Sequence, residues 1–189
     1  MKLAQPDNFQ YPSALGMLSG TKVILRPPED QDLPALTALR NDVDLQLLLM
    51  SQPRPNTLAR VGSWVADLLA DRDSAFFVIE SGKRVCGFLQ ILRLNLLHGT
   101  GELGLCLDDA AQGHGIAAEA LTLAEAYARA VFNLRKLTLQ ALSSNTRAVR
   151  FYEKEGFRTV GIWRRHFYQR GEFRDVTLME KFLSDEPAQ

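Results

Sequence analysis

A chain of 189 residues that is 46% hydrophobic and 23% charged can bury one substantial core, which excludes a disordered protein and points to a single domain. Lysine plus arginine (22) balances aspartate plus glutamate (22), so no bulk electrostatic attraction draws the chain to nucleic acid or to an anionic membrane. Two cysteines in separate apolar runs, Cys86 and Cys106, read as buried free thiols. Three scattered histidines offer no ligand spacing, so no metal is expected. No apolar run reaches the roughly 20 residues of a membrane span, and the amino terminus lacks the basic-then-apolar order of a signal peptide. The expected location is the cytoplasm.

Residues 1–19 read as an N-terminal arm, residues 20–183 as one domain and residues 184–189 as a polar tail. Residues 21–26 alternate and are β-branched, which predicts a strand stopped by Pro27-Pro28. Leu33, Leu36 and Leu39 set a helix over 29–40, with Asp30 or Asp32 near its cap. Residues 41–56 are mixed: 45–50 are apolar, and Pro53 and Pro55 interrupt the chain after them. A second helix over 57–71 places Val61, Trp64, Val65, Leu68 and Leu69 on one side. Strands over 75–80 and 85–94 flank the turn Ser81-Gly82-Lys83.

Residues 101–118 (GELGLCLDDAAQGHGIAA) then join a strand to a glycine loop and a helix. Leu103, Leu105 and Leu107 fall on one strand face, and Glu102, Gly104 and Cys106 on the other. Gln112, Gly113, His114 and Gly115 form the loop. From Ile116 apolar residues recur at helical spacing to Val131. The first N–H groups of a helix lack partners within it, the dipole is positive there, and glycine admits close approach, so this is a seat for a phosphate or pyrophosphate. A third glycine for a dinucleotide loop is missing, and so is the Gly-Lys-Ser/Thr of a nucleotide triphosphate loop.

Downstream, 136–142 alternates as a strand, Ser143-Ser144-Asn145 is a cap cluster, 146–155 is a short helix and Gly156 is its stop. A strand region over 157–168, bent near Gly161, turns at Gly171 into a last strand over 173–182. The predicted order is β-α-α-β-β-β-α-β-α-β-β, a mixed α/β fold with a mostly antiparallel sheet flanked by helices. Asn145 and Tyr152 lie two helical turns apart, about 10 Å along one face. The asparagine can hold a carbonyl or amide of an extended ligand, and the phenol can protonate a departing thiolate. Equally, Asn145 suits an N-cap and Tyr152 a half-buried core aromatic.

Gln112-x-x-Gly115-x-Ala117, followed by Asn145, Tyr152 and Gly156-Phe157, resembles the acyl-CoA signature and later motif of the GNAT N-acetyltransferase superfamily. The closing run from Gly161 through Arg164, Phe167 and Gly171 to Asp175 resembles the subgroup of ribosomal-protein, spermidine and amino-sugar acetyltransferases. The resemblance implies a single-domain GNAT-like fold with acetyl-CoA as co-substrate. The strand at Leu105, Cys106 and Leu107 would pair with the pantetheine arm. Gly113, His114, Gly115, Ile116, Ala117 and Ala118 would hold the pyrophosphate, Asn145 would contact the cofactor arm, and Tyr152 would act as acid. Some ribosomal-protein members carry a glutamate base where this chain has Gln140. Glu102 is the substitute we choose, against the plainer readings of a solvated strand-end carboxylate or a partner for a nearby arginine.

The implied reaction is direct attack of a neutral primary amine on the thioester. Cys106 stands in an apolar strand without an adjacent base, which argues against an acyl carrier. A small-molecule amine or protein N-terminus ranks first as acceptor and a nucleotide-linked amino sugar second, because the acids are scattered rather than gathered for a polyamine. A non-catalytic acyl-CoA-binding module is the rival class. Arg40, Asn41 and Asp44 stand either as readers of a polar acceptor or, more simply, as an ordinary helix end and turn. Residues 45–50 are either an apolar lip of the site or core. The late strands leave a homodimer open.

Overall fold

A computed structural model of the chain describes residues 17–183. The strands are β1 (Leu18–Ser19), β2 (Ile24–Arg26), β3 (Ala75–Ser81), β4 (Arg84–Asn95), β5 (Thr100–Leu107), β6 (Lys136–Leu142), β7 (Arg158–Gln169) and β8 (Glu172–Phe182). The helices are α1 (Leu33–Asn41), α2 (Val43–Leu48), α3 (Leu58–Ala70), α4 (Ile116–Phe132) and α5 (Thr146–Lys154). One eight-stranded sheet runs β1-β2-β3-β4-β5-β6-β8-β7. Every pairing in it is antiparallel except β5 with β6. The expected mixed, mostly antiparallel α/β class is what forms.

Three departures from the sequence reading have local causes. Leu18 and Ser19, which the sequence places in the arm, belong to the sheet, because Leu18 is buried opposite Leu25; residues 1–16 and the tail over 184–189 lie outside the described residues. The first strand shortens to three residues, since Gly20 to Lys22 turn the chain from β1 into β2. The mixed stretch after α1 contains the extra helix α2, nucleated by Asp42, whose carboxylate accepts from the Leu45 N–H at 2.9 Å.

The alternation along the pivotal strand decides the layers. Leu103 and Leu107 join the core formed with α4 and α5, whereas Cys106 joins a second core on the opposite face with Leu36, Leu39, Val61 and Val65 of α1 and α3. Trp64 seals that second core edge-on against Phe76 and Phe88.

β5 and β6 pair only over residues 100–102 with 136–138. Opposite this point β4 carries one extra residue: Leu92 faces Glu102 and Asn95 faces Thr100, with Arg93 at φ 51° in the bulge. A bulge bends and twists its ladder. Past Glu102, β5 keeps a strand partner on its β4 side alone among the described residues.

The entry to α1 is held by Asp32, which is 3% exposed. Its oxygens accept from both terminal nitrogens of Arg26 at 2.7 and 2.9 Å and from the Glu29 N–H at 2.7 Å, while Arg26 Nε donates to Glu80. Burial pushes the Asp32 carboxyl up, but the Arg26 hydrogen bonds, the Glu29 N–H and the Arg26 charge together outweigh it and hold the group below its ordinary value. Because the folded-state value is depressed, the stabilisation is complete above the unfolded carboxyl value of about 3.9 and is lost as pH falls through the folded one. Asp32→Ala leaves a nearly buried guanidinium with Glu80 as its remaining carboxylate partner and is expected to cost about 2 kcal/mol in urea unfolding at pH 7. The gap between variant and parent should shrink below about pH 4.

Candidate active site

The parting of β5 and β6 opens a cavity of about 730 Å³ that passes from one face of the sheet to the other. Ala117, Ala118, Asn145 and Tyr152 line it on the α4–α5 side; Arg40, Trp64 and Leu68 line it on the α1–α3 side; Glu102 and Leu103 through Leu107 form the wall between. Gly104 is part of that wall because a β-carbon there would meet the Gln90 side chain at 2.9 Å.

At the mouth, Gly113 and Gly115 both have φ of 80°, the left-handed region that other residues enter at a cost. Gly115 ends the loop as the residue before α4, so the N–H groups of Ile116, Ala117 and Ala118 have no partner within the helix. Gln112 lines the cavity, but its side chain donates to Asp109 at 2.9 Å and thereby shapes the loop. The side chains of His114 and Ile116 lie outside the cavity lining: His114 is exposed, and Ile116 is buried in the core.

The loop is braced by a contact that the sequence does not signal. Glu119, in the first turn of α4, accepts from the Thr21 hydroxyl at 2.9 Å and from the Lys22 N–H at 3.0 Å. Lys22 Nζ in turn donates to the His114 carbonyl at 3.2 Å and stands beside Gly115. The ammonium adds positive potential to the helix end. Lys22 is 92 residues from His114, so no local pattern could have found it.

On α5 the cap reading of Asn145 and the core reading of Tyr152 are met, and both residues line the cavity. Asn145 is the N-cap, its oxygen accepting from the Ala148 N–H at 3.1 Å, and its amide still lines the cavity. The oxygen holds the cap with one of its two lone pairs, and the NH2 group remains a donor. Tyr152 is 8% exposed and packs edge-on between Phe151 and Phe157. Burial, with a smaller contribution from Cys106, pushes its phenol well above 10, so the hydroxyl keeps its proton through neutral and mildly alkaline pH.

Glu102 lines the cavity in an ion pair with Arg93, so the plainer reading of this carboxylate as an arginine partner is also met. Gln140 lines the cavity too, and nothing ionisable stands at that place. Asn41 and Asp44 are engaged elsewhere: Asn41 clasps the Asn56 backbone, and Asp44 pairs with Arg170 of the β7–β8 turn. Arg40 and Trp64, by contrast, line the cavity, as do Leu45, Leu48, Leu49 and Met50. The lip reading of residues 45–50 is the one the geometry favours. Helical spacing places Trp64 on the core side of α3, and it cannot show which core positions border a cavity.

A strand splayed from its neighbour, beside a helix end with unpaired donors, leaves in the sheet a gap able to take an extended ligand with an anionic end. Residues 22–158 match the family model described as acetyltransferase (GNAT) domain. The chain belongs to the GNAT acetyltransferase family, and its reaction is acetyl-CoA-dependent N-acetylation of a primary amine. Among its relatives is a spermidine N(1)-acetyltransferase of Escherichia coli K12, 28% identical over 163 residues, covering 86% of this chain and 87% of that one. A second is the Vibrio cholerae spermidine N(1)-acetyltransferase, 24% identical over 84% of this chain and 92% of the other. The crystal structure of spermidine N-acetyltransferase from Vibrio cholerae, in complex with CoA and spermine, superposes with a TM-score of 0.81 at 24% identity, covering 87% of this chain and 97% of that chain. No helix among the described residues is long and apolar enough to cross a membrane, and no cluster of possible metal ligands occurs among them.

Cys106 borders this cavity yet is 1% exposed, and burial pushes its thiol up to about 12. At pH 8 roughly one molecule in ten thousand carries the thiolate. Cys86 is also buried, with its thiol raised by burial. Neither cysteine is expected to react with an aromatic disulfide reagent at pH 8 until denaturant is added; rapid labelling of the folded protein would reopen an acyl-carrier role for Cys106.

Proposed function

We propose that acetyl-CoA enters from the α4–α5 face and the amine from the α1–α3 face, so that donor and acceptor meet in the gap between β5 and β6. The observation that carries this is the continuous cavity lined from both sides of the sheet. The diphosphate sits on the N–H groups that follow Gly115, with the charge of Lys22 beside them. The pantetheine arm lies along Leu105, Cys106 and Leu107 of β5, taking the backbone positions that β6 leaves vacant, and the Asn145 amide donates to one of its carbonyls.

The lone pair of a neutral amine attacks the thioester carbonyl carbon. The new C–N bond forms as the C–S bond breaks, and a backbone N–H of β5 holds the developing oxyanion. The thiolate takes the Tyr152 hydroxyl proton, the ammonium proton passes to Glu102 directly or through water, and solvent reprotonates the phenolate. The acceptor is a primary amine, and the relatives' names place spermidine in any test panel. Ile162, Trp163, Tyr168 and Phe173 are exposed on β7 and β8, and this surface is proposed to join copies of the chain; a Vibrio cholerae neighbour at TM-score 0.75 is described as dodecameric. Two reduced, buried thiols support a cytoplasmic location.

Tyr152→Phe is expected to lower kcat about a hundredfold while acetyl-CoA affinity by calorimetry stays within about twofold, the split that separates a proton donor from a binding contact. Unchanged turnover would remove the acid role. Gly115→Glu forces a side chain into a left-handed backbone position and sets a carboxylate at the anion seat. Acetyl-CoA binding at least about tenfold weaker is expected from a folded variant, and full affinity would refute the placement of the diphosphate.

A further inference from the structure

Arg40 lies in the last turn of α1, at the cavity wall. Its guanidinium lies over the Trp64 ring at 4.8 Å, and one terminal nitrogen donates to Gln46 Oε1 at 3.1 Å. Gln46 is 1% exposed, and its own amide nitrogen donates to the Leu39 carbonyl at 3.0 Å, so the oxygen that Arg40 meets is fixed in place. A guanidinium has five N–H donors, and one is used. No carboxylate among the described residues forms an ion pair with it, although the group is half-buried. Leu45, Leu49, Met50, Leu68 and Phe88 line the cavity along with it, beside the polar Ser51 and Gln90. The two carboxylates that line the cavity, Glu102 and Glu155, do not compensate the charge, because Glu102 is engaged by Arg93 and Glu155 stands at the end of α5.

We propose that the amine accepted by this enzyme also carries an oxyanion, a carboxylate or a phosphate, which Arg40 grips through its free N–H groups while an apolar body lies against the walls around it. The proposal rests on the acetyl-transfer reading above. A half-buried cation with unused donors is costly, and a planar, hydrogen-bonded oxyanion offsets that cost better than any neutral group. Burial, and to a smaller degree the nearby Arg60 charge, lowers the Arg40 pKa, so the group holds its charge at a cost. A polyamine meets the opposite conditions. Its ammonium groups would approach a fixed cation, and the aromatic face that could receive one of them, Trp64, is already covered by Arg40.

Thiol release is to be followed with matched pairs: phenylalanine against phenethylamine for the carboxylate, glucosamine 6-phosphate against glucosamine for the phosphate, with spermidine alongside. In at least one pair the oxyanion-bearing amine should exceed both its partner and spermidine in kcat/KM by roughly tenfold or more; which pair does so tells carboxylate from phosphate. Arg40→Gln should bring that ratio to within about threefold, acting mainly through KM, and Arg40→Lys, which keeps the charge without the fork, should keep part of it. Spermidine preferred over every oxyanion-bearing amine, no oxyanion-bearing amine acetylated, or both variants lowering the two members of a pair equally would each overturn the proposal. Calorimetry with acetyl-CoA separates the two levels: a protein that does not bind the coenzyme sinks the reaction itself, whereas one that binds it and prefers spermidine sinks only the role of Arg40.

Discussion

The structure depends on where two neighbouring strands stop pairing. β5 and β6 share three residue pairs and then diverge, while β5 stays paired to β4 on both sides of its bulge and β6 keeps its full ladder to β8. Each strand is therefore held by its other neighbour, and the gap costs the sheet a few backbone hydrogen bonds without loosening either half. Unpaired backbone polar groups at such a place need a partner, which a ligand or water must supply. Parallel pairing suits this arrangement, since the chain has to cross over through α4 and delivers that helix's N-terminus to the mouth of the gap.

The same parting lets the two faces of the sheet do different work. Alternation on β5 sends its leucines to the α4–α5 core and Cys106 to the α1–α3 core, so the wall of the cavity is anchored on both sides. The α4–α5 side offers helix-end donors, Lys22, Asn145 and a buried phenol, groups suited to a phosphorylated, extended cofactor. The α1–α3 side offers aliphatic walls, an indole and a guanidinium. Electrostatically these are different rooms joined by a short passage. Such a division suits a reaction between two unlike molecules that must be held in register.

Much of the fold is legible from periodicity. The strand and helix order of residues 75–182 comes directly from alternation in the strands and helical spacing in α4, because those segments bury one face and keep that face along their length. The glycine loop is legible for a related reason: only glycine takes φ of 80° at no cost, so two of them before an apolar helix mark a backbone of unusual shape. Less legible is the stretch between α1 and α3, where α2 depends on the cap by Asp42, and the buried Gln46 is satisfied by Leu39 and Arg40 from the preceding helix.

By itself, the sequence determined the layer to which each side chain of β5 belongs, the glycine loop at the start of α4, and the pairing of an N-cap Asn145 with Tyr152 two turns along α5. These are local consequences of backbone period and residue type. Only the tertiary structure decided that β5 and β6 separate after three pairs, that Lys22 reaches the loop across 92 residues, that Glu102 meets Arg93, and that Arg40 stands in the cavity while Asn41 and Asp44 turn away. Such contacts join residues from different elements, and they depend on how those elements pack, which no spacing within a single segment records.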